Sequence, residues 1–278
     1  MITASLVLYN SPDDQVHRIL DCVENSIIDK IFVIDNSSRE NSKIVCSSYP
    51  KAEYQEHENT GYGDSHNIGM RRALELNSDY HLVVNPDIYF DGNLVSELVS
   101  YMNEHLDVAQ IMPKVLNPNG DIQYLCKLIP SPFDLILKRF FPKKIREKST
   151  YKFQLKFADY NQIMNVPYLS GCFMFFRTKA FETVGLFDER FFMYPEDIDI
   201  TRRMHEQYKT IYYPFVSVVH DHAAESYKSK KMLKIHITNM IKYFNKWGWF
   251  FDKKRRKINK QVLKELDFKR KKGSNSCK

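Results

Sequence analysis

The stretch Tyr80-His81-Leu82-Val83-Val84-Asn85-Pro86-Asp87 gives the strongest indication of the fold. Its five leading residues predict a buried strand, and Asn85-Pro86-Asp87 presents a carboxylate where that strand ends. In open α/β sheets, loops at the carboxyl ends of parallel strands bind nucleotides, and an Asp there can hold the divalent cation that bridges a diphosphate. Taken alone, the tripeptide is more typical of an ordinary turn, because Asn, Pro and Asp are common turn residues.

Strands and helices alternate around this stretch. The predicted strands are residues 2–9, 31–35 and 80–84, and the predicted helices are residues 12–26, 63–76 and 94–104. Ser11 is the expected N-cap of the first helix, and Pro12 its first helical residue. Because strands that alternate with helices form βαβ units, the pattern predicts an α/β fold with a mainly parallel sheet.

The pattern is less regular after residue 105. Residues 109–116 and 121–126 are predicted to form a hairpin through the turn Asn117-Pro118-Asn119-Gly120. Residues 133–157 are rich in basic residues, Phe and Leu, and no element is assigned there. Further predictions are a strand at 166–177, a helix beginning near Pro195, short strands at 210–213 and 216–220, and a long helix from about Ser229.

Composition favours one large intracellular domain. A chain of 278 residues with 43% hydrophobic content can form a sizeable core. The five cysteines are scattered without C-x-x-C spacing, which indicates neither a disulfide framework nor a zinc site. No secretory signal and no run of 18 apolar residues is present, so we expect a cytoplasmic protein.

The net charge of +7 is located in the C-terminal segment. Residues 252–278 contain 12 of the 41 Lys and Arg residues against 3 of the 34 Asp and Glu residues, which gives +9. The remaining 251 residues hold 29 basic and 31 acidic residues, which gives −2. The basicity is therefore predicted to belong to an appendage of the globular domain.

Six short motifs follow one another along the chain. They are Val7-Leu8-Tyr9-Asn10, Val33-Ile34-Asp35-Asn36-Ser37, Asn59-Thr60-Gly61-Tyr62-Gly63 with Asn67-Ile68-Gly69, Asn85-Pro86-Asp87, Pro195-Glu196-Asp197, and His220. In this order and spacing the set resembles the family 2 inverting glycosyltransferases, particularly the bacterial rhamnosyltransferase-like branch. The likeness covers about residues 2 to 222. It implies the GT-A nucleotide-diphospho-sugar transferase fold, with a mainly parallel central sheet flanked by helices.

The resemblance also implies a division of the chain. Residues 1–228 would form the GT-A domain, with a nucleotide-sugar donor half at 1–105 and an acceptor and catalytic half at 106–228. Residues 229–278 would form a C-terminal amphipathic helix and a basic tail.

In the donor half, the resemblance implies that Asp35 accepts a hydrogen bond from a pyrimidine ring and that Tyr9 or Asn10 packs against the base. The alternative for Asp35 is to cap the helix that follows Asn36.

Further donor contacts are implied along the next two motifs. Gly61 would let the backbone approach the nucleotide, and Asn59 and Asn67 would tie down the donor loop. Asn85-Pro86-Asp87 replaces the family's wider D-x-D pattern, as is common in its rhamnosyltransferase-like members. Metal coordination by Mg²⁺ or Mn²⁺ would then rest mainly on Asp87.

In the catalytic half, the resemblance implies that Asp197 is the general base and that Glu196 orients Asp197 or the acceptor. The alternative is that acids after Pro195 only complement a helix N-terminus. Asp199 is equally well explained as a surface charge, and of these acids it is the one least expected to take part in catalysis. His220 matches a position where some family members have a metal ligand, although a histidine in a loop is often solvated or capping. His222 is a weaker candidate for the same role.

The C-terminal region indicates where in the cell the protein is expected to lie. An apolar stripe runs through the last long helix and is expected to pack on the domain, whereas Trp247-Gly248-Trp249-Phe250-Phe251 and the basic tail suit an anionic cytoplasmic leaflet. The full prediction is a peripheral membrane enzyme that transfers L-rhamnose from dTDP-L-rhamnose to a lipid-linked saccharide during assembly of O-antigen or another bacterial surface polysaccharide.

Two alternatives remain open at this point. The first is a family 2 enzyme that uses a UDP-hexose. The second is a catalytically silent protein that binds nucleotide sugars or polyanions, with the tail holding RNA or DNA. No nucleic-acid partner is expected, because the tail lacks interleaved stacking aromatics and a recognised nucleic-acid module.

Overall fold

A computed structural model of the chain describes residues 1–136, 141–221 and 230–268, except for the side chains of Lys230 and Lys231. The strands are β1 (Ile2–Leu8), β2 (Lys30–Asp35), β3 (Ala52–Glu56), β4 (Tyr80–Val84), β5 (Ile88–Tyr89), β6 (Val108–Leu116), β7 (Met164–Asn165), β8 (Phe173–Arg177) and β9 (Lys209–His220). The helices are α1 (Asp13–Glu24), α2 (Glu40–Ser47), α3 (Tyr62–Glu75), α4 (Leu94–Glu104), α5 (Pro132–Leu135), α6 (Lys143–Phe153), α7 (Ala180–Val184), α8 (Glu196–His205), α9 (Lys230–Trp247) and α10 (Lys253–Glu265).

The strands form one mixed sheet in the order β3-β2-β1-β4-β8-β6-β9-β5, and β7 pairs with β9. The first four strands of this order are parallel, whereas β8 runs antiparallel to both β4 and β6. The predicted α/β fold with helices flanking the sheet is confirmed. Because β1, β2 and β4 are parallel, the loops after Leu8, Asp35 and Val84 lie at the same edge of the sheet.

The first βαβ unit combines two strands that are apolar almost throughout with a helix whose apolar residues lie on one face. The β1 and β2 residues are almost all buried, as expected for central parallel strands covered on both faces. In α1, the apolar residues recur every three or four positions and pack against the sheet; they are Val16, Ile19, Leu20 and Val23. The predicted Ser11 cap is wrong, because Pro12 occupies the N-cap position without a side-chain cap.

Three predictions for the second half are wrong in detail. The hairpin keeps its turn but reduces to a single bridge between Leu116 and Ile122, and Lys127 forms a separate bridge with Tyr168. The strand predicted at 166–177 covers only Phe173–Arg177. The two short strands at 210–220 are one strand, β9, with a register shift opposite Pro113 and Lys114.

Some elements were missed because their apolar residues are sparse. The helix α2 buries only Ser42, Val45 and Cys46, and the edge strand β3 has no fully buried residue. Within its described residues, the unassigned region 133–157 contains α6 and all of α5 except Pro132.

The two C-terminal helices pack on the same core as the sheet. Met240, Tyr243 and Phe244 of α9 and Val262 of α10 are buried in the main hydrophobic cluster. The domain boundary at 228 stays a prediction, but residues 252–268 are not a free appendage. Among the described helices, none is both long enough and apolar enough to span a bilayer.

Candidate active site

Asp197 is a buried carboxylate at the first turn of α8, where the residue retains 9% of its exposure. Its Oδ1 accepts the Ile198 N–H at 2.7 Å, and its Oδ2 accepts the Gly171 N–H at 3.0 Å. Burial raises the pKa of Asp197, although the charge of Lys127 and hydrogen bonds from Gly171, Ile198 and Tyr168 oppose that rise. Such a carboxyl group is well suited to accept a proton near neutral pH.

Glu196 is the neighbouring buried acid, with 5% exposure. Burial and, second, the charge of Asp197 raise its pKa, so the proton is held more readily on Glu196 than on an ordinary glutamate. Its Oε2 accepts no hydrogen bond among the described residues. Tyr194, two residues before Glu196, has a φ of 94°, a backbone conformation that non-glycine residues rarely adopt. The two acids therefore differ in environment although they are adjacent in sequence.

Asp199 has a structural role that the sequence did not indicate. It is fully buried, so the expectation of a surface charge is wrong. Its carboxylate binds Lys246 at 2.6 Å and Arg203 at 2.8 Å, and it accepts the Trp247 indole N–H at 2.8 Å. Asp199 thus joins α8 to α9, and it has no oxygen left for chemistry.

Tyr62 joins the motifs of the two halves, a role that the sequence analysis missed. Its hydroxyl lies 2.7 Å from the Gly171 carbonyl oxygen and 3.0 Å from Asn85 Oδ1. The Asn85 N–H donates to the Cys172 carbonyl oxygen at 3.0 Å. Because the Gly171 N–H holds Asp197, one short set of contacts connects Asn85-Pro86-Asp87 to the candidate base.

We expect Tyr62→Phe to lower the free energy of unfolding by about 1–3 kcal/mol, because the part-buried acceptors on Gly171 and Asn85 lose their hydroxyl partner. Urea denaturation measures the loss. Tyr101→Phe, in a half-buried tyrosine on α4, is the matched control and should change stability much less. Equal effects of the two substitutions would contradict a joining role for Tyr62.

Asp87 and His220, the two residues predicted as metal ligands, lie side by side. His220 Nε2 is 3.3 Å from Asp87 Oδ2, and Asp87 Oδ1 is buried and accepts no hydrogen bond among the described residues. Gln123 donates its amide to the His220 and Asn117 oxygens, so its Oε1 accepts from His220 Nδ1 at 2.9 Å. This network assigns a ring proton to Nδ1 and turns Nε2 toward Asp87.

The pair alone does not complete a metal site. Across residues 1–136, 141–221 and 230–268, no set of three or more His, Cys, Asp or Glu side chains converges on a metal position. A hard cation at Asp87 and His220 would take its remaining ligands from diphosphate oxygens and water. Carboxylate, diphosphate and water oxygens are ligands that suit Mg²⁺ and Mn²⁺, so Asp87 fits the predicted ion. An imidazole suits a transition metal, so His220 fits Mn²⁺ better than Mg²⁺. His222 lies outside the described residues.

Asp35 organises its own loop at the donor edge. The residue has no exposed surface; Ser37 donates to its Oδ1 from both its backbone and its hydroxyl, and Tyr54 donates to Oδ2 at 3.0 Å. Burial opposes ionisation, but these bonds and the Arg39 N–H together lower the pKa of Asp35. It is not the N-cap of α2, because that position is Arg39. The predicted contact with a pyrimidine ring stays a prediction and requires this loop to open.

Tyr9 and Asn10 are exposed beside that loop. Tyr9 is 60% exposed, and the Asn10 N–H donates to the Ser37 hydroxyl at 3.1 Å. Asn10 has a φ of 53°, in the left-handed region that Asn tolerates better than most residues. This position leaves the Tyr9 ring accessible for the predicted contact with a base.

The third motif has two functions. Gly61 has a φ of 119°, and a Cβ there would lie 2.4 Å from the Phe192 carbonyl oxygen, so glycine is required. Asn59 lies half-buried just before it. Asn67 does not face the predicted binding site of the nucleotide sugar, because the residue is only 1% exposed. Its side-chain amide donates to the Phe187 carbonyl oxygen and accepts the Phe187 N–H, both at 2.9 Å. Asn67 therefore fixes the segment before Glu196 to α3.

Lys127 is a second residue that the sequence analysis missed. Its Nζ lies 3.4 Å from the Tyr168 hydroxyl, which hydrogen-bonds Asp197. Neither residue belongs to a recognisable motif. Tyr168 comes two residues before Ser170-Gly171, and Lys127 reaches it through a bridge between distant segments. The lysine charge favours the ionised form of Asp197 and so lowers the pKa that burial has raised.

We expect Lys127→Gln to move the acid limb of the pH–activity profile upward by roughly one pH unit, because loss of the positive charge raises the pKa of Asp197 further. Activity should fall as pH decreases through that pKa, since only the ionised base accepts a proton. The profile of kcat/KM against pH measures the change. Lys179→Gln, at an exposed residue of another segment, should leave the limb in place.

The family model of glycosyl transferase family 2 matches residues 5–185. The chain belongs to this family. The match includes the donor-edge motifs and Gly171 and ends before Glu196. The predicted family is therefore confirmed on more than half of the chain.

Curated relatives of this family 2 chain include rhamnosyltransferases. It is 26% identical over 181 residues to the N-acetylglucosaminyl-diphospho-decaprenol L-rhamnosyltransferase of Mycobacterium tuberculosis, over 60% of this chain and 57% of that protein. It is 24% identical to the rhamnosyltransferase WbbL of Escherichia coli, over 86% of this chain and 90% of that protein. A third is the low-salt glycan biosynthesis hexosyltransferase Agl10 of Haloferax volcanii, at 27% identity over 63% of this chain and 52% of that protein. The aligned region spans little more than half of the mycobacterial and Haloferax relatives.

Solved structures share the GT-A-type fold of this family 2 chain. GalNAc-T7, determined with UDP, GalNAc and Mn²⁺, has a TM-score of 0.60 at 15% identity, over 86% of this chain and 47% of that one. The mannosyltransferase PcManGT of Pyrobaculum calidifontis, determined with GDP-Man and Mn²⁺, has a TM-score of 0.55 at 13% identity, over 87% of this chain and 64% of that one. At these identities the likeness establishes the fold alone.

Proposed function

We propose that the protein is an inverting, metal-dependent glycosyltransferase in which Asp197 is the general base. The observation that carries the proposal is the contact set in which the Gly171 N–H holds Asp197 and the Tyr62 hydroxyl contacts both Gly171 and Asn85. This arrangement places a buried carboxylate of raised pKa beside the motif that would bind the donor diphosphate. Family membership supports the same reaction class.

The reaction is a single in-line displacement. The acceptor hydroxyl oxygen forms a bond to the anomeric carbon, and the bond from that carbon to the diphosphate oxygen breaks. The electron pair leaves with the nucleoside diphosphate, while the hydroxyl proton passes to Asp197. One base is sufficient, because no covalent sugar–enzyme intermediate is formed.

Glu196 has a different role from Asp197. Its raised pKa keeps a proton on the carboxyl group over a wider pH range, so it can donate a hydrogen bond to the acceptor or to Asp197. Two adjacent buried carboxylates also disfavour double ionisation, and this keeps the charge on one of them. We assign that charge to Asp197, because Gly171 and Ile198 both donate N–H groups to its oxygens.

Asp87 and His220 would hold Mg²⁺ or Mn²⁺ beside the donor diphosphate. When bound, the ion would neutralise charge that develops on the departing nucleoside diphosphate. Gln123 fixes the His220 ring, and the Asp221 N–H donates to the Asp87 carbonyl oxygen at 2.9 Å, so the backbone segments that carry the two ligands are held together. The two solved structures were determined with Mn²⁺, which supports this choice of ion.

Treatment with EDTA is expected to abolish transfer, and Mg²⁺ or Mn²⁺ should restore it. Asp87→Asn should raise the metal concentration needed for half-maximal activity by at least about tenfold, because the negative charge of one metal ligand is lost. Metal titration of activity measures both effects. Asp91→Asn, at an exposed acid four residues later, is the matched control and should titrate as the unsubstituted enzyme does. Full activity in EDTA would contradict metal dependence.

We propose L-rhamnose from dTDP-L-rhamnose as the donor and a lipid-linked saccharide as the acceptor. The names of two relatives support the sugar, and the diphospho-decaprenol in one name supports an acceptor on a lipid diphosphate. Formation of O-antigen or another surface polysaccharide, at the inner face of the cytoplasmic membrane, would be the setting. A UDP-hexose donor is the competing assignment, which the hexosyltransferase relative supports.

A donor panel tests the assignment. Purified protein is incubated with dTDP-L-rhamnose, UDP-glucose, UDP-galactose and UDP-N-acetylglucosamine together with a synthetic lipid-diphosphate saccharide, and the products are identified by mass spectrometry. Transfer of rhamnose alone is the expected result. Turnover of UDP-hexoses alone would overturn the rhamnose assignment, and absence of transfer from every donor, with nucleotide binding retained, would indicate a catalytically silent binding protein.

A further inference from the structure

Two basic helices that are about 100 residues apart in sequence flank one segment of the acceptor half. The helix α6 has five basic residues and one acidic residue, and α10 has seven basic residues and one acidic residue. Asn259 of α10 holds Ile129 through two backbone hydrogen bonds of 2.9 and 3.0 Å. The Leu128 N–H donates to the Phe153 carbonyl oxygen at the end of α6, also at 3.0 Å. Segment 127–130 therefore lies between the two helices.

The ends of the two helices also meet directly. Phe268, just after α10, packs against Phe157 with ring centroids 4.7 Å apart. The Lys152 ammonium of α6 lies 5.6 Å from the centroid of the Phe268 ring. We name the exposed basic side chains of both helices the cationic surface. Its members are Lys143, Lys144, Arg146, Lys148, Lys152, Lys253, Lys254, Arg256, Lys257, Lys260 and Lys264.

Exposed apolar side chains accompany this charge. Phe250 and Phe251, immediately before α10, are 59% and 87% exposed. Phe141, just before α6, is 42% exposed, and Ile145 within α6 is 46% exposed. By contrast Trp247, which the sequence grouped with Phe250 and Phe251, faces inward, where its ring lies 3.8 Å from the Arg202 guanidinium carbon.

We propose that the cationic surface docks on an anionic lipid bilayer, with Phe250, Phe251, Phe141 and Ile145 entering the headgroup layer. Basic side chains with adjacent apolar groups suit the boundary between anionic headgroups and acyl chains. The three exposed phenylalanine rings are able to stack on bases as well as to enter a bilayer, but Ile145 offers a nucleic acid no stacking ring and no hydrogen-bonding group, which favours the bilayer. The sequence after residue 268 adds five more basic residues and no acidic one.

The docking surface is connected to the candidate base. Segment 127–130 begins at Lys127, whose ammonium lies 3.4 Å from the Tyr168 hydroxyl, and Tyr168 hydrogen-bonds Asp197. A bilayer bound to α6 and α10 would thus present a membrane-held acceptor to the half of the protein that contains the base. This part of the inference rests on the proposed function, whereas docking itself does not.

Vesicle flotation with the full chain tests the surface. We expect binding to vesicles of phosphatidylcholine with 30% phosphatidylglycerol, little binding to pure phosphatidylcholine, and release in high salt, which screens the charges. Each basic residue near an anionic surface adds about fivefold to binding. Lys144→Gln, Lys257→Gln and Lys260→Gln together should therefore reduce the partition coefficient by at least about tenfold. Phe250→Ser with Phe251→Ser should reduce it further.

The matched control neutralises three exposed lysines on other parts of the protein, Lys43, Lys179 and Lys209. It should bind vesicles within about twofold of the unsubstituted chain, and circular dichroism should show that both triple variants are folded. Equal loss in the two variants, or binding that does not depend on phosphatidylglycerol, would overturn the proposal. So would unchanged vesicle binding with loss of RNA binding, which would identify a nucleic-acid surface. Transfer to a soluble acceptor, measured on the same samples, separates failure of docking from failure of the proposed function.

Discussion

Asp197→Asn is expected to lower kcat by about 10²–10⁴-fold, because a positioned general base contributes that much to the rate. The asparagine side chain has nearly the same shape, and its oxygen can still accept one of the two N–H groups that hold Asp197. The asparagine amide cannot take the proton from the hydroxyl group of the acceptor sugar at any accessible pH, so the substituted enzyme lacks the general base. The KM for the nucleotide sugar should stay within a few-fold, since the donor motifs lie on other elements.

Steady-state kinetics and calorimetric donor binding measure the two effects separately. Glu182→Gln removes an exposed carboxylate from α7 and is the matched control, with kcat expected to remain unchanged. Glu196→Gln should be less severe than Asp197→Asn, because a neutral side chain can still orient the acceptor. If Asp197→Asn kept full activity, or if Glu196→Gln were the more damaging substitution, the assignment of the base would be wrong.

Asp252→Ala is expected to lower the free energy of unfolding by about 3–5 kcal/mol, because it removes the closest partner of the buried Arg202 guanidinium and leaves only the Glu206 carboxylate, 3.6 Å from Arg202 Nε. Arg202 makes two hydrogen bonds to Asp252, of 2.7 and 3.0 Å, and the side chains retain only 1% and 4% of their exposure. Asp252 is also the N-cap of α10 and accepts the Arg255 N–H at 2.9 Å. Loss of this cap would add about 1 kcal/mol.

Urea denaturation followed by tryptophan fluorescence suits this prediction, because both tryptophans, Trp247 and Trp249, lie at this junction. Asp107→Ala is the matched control: it removes an ion pair of the same 2.7 Å length to Lys209, but both side chains there are more than half exposed. Exposed pairs contribute less than about 1 kcal/mol, so the control should scarcely change stability. Similar losses in the two variants would show that burial does not decide the strength of the Arg202–Asp252 pair.

The sequence predicted the parts of the fold that have strong local patterns. The central strands β1, β2 and β4 and the helices α1, α3 and α4 occur where apolar periodicity placed them, and α8 begins directly after Pro195. The motif Asn85-Pro86-Asp87 ends a parallel strand as expected. Elements with few apolar residues, such as α2 and β3, gave too little periodic signal to be recognised.

Residues that act through long-range contacts were harder to predict. Tyr62 appeared in the sequence only as part of a glycine-rich loop, yet its hydroxyl reaches Gly171, which is 109 residues away. Asn67 was predicted to lie in the binding site of the nucleotide sugar, but its side-chain amide hydrogen-bonds the backbone of Phe187, 120 residues away. The basic tail was treated as an appendage because a count of charges cannot reveal that Asp252 is held by Arg202.

The sequence by itself determined the α/β class, the family and the candidate base and metal residues, since strand and helix periodicity and short motifs are local properties of the chain. The tertiary structure decided which carboxylates differ in burial and hydrogen bonding, which polar groups join the two halves, and that α6 and α10 flank one segment of the acceptor half. The physical reason is that burial, hydrogen bonding and the proximity of charges arise only when distant segments pack together. Asp197 and Asp199 are both acids in the first turn of α8, but only their surroundings make one a candidate base and the other a buried anchor.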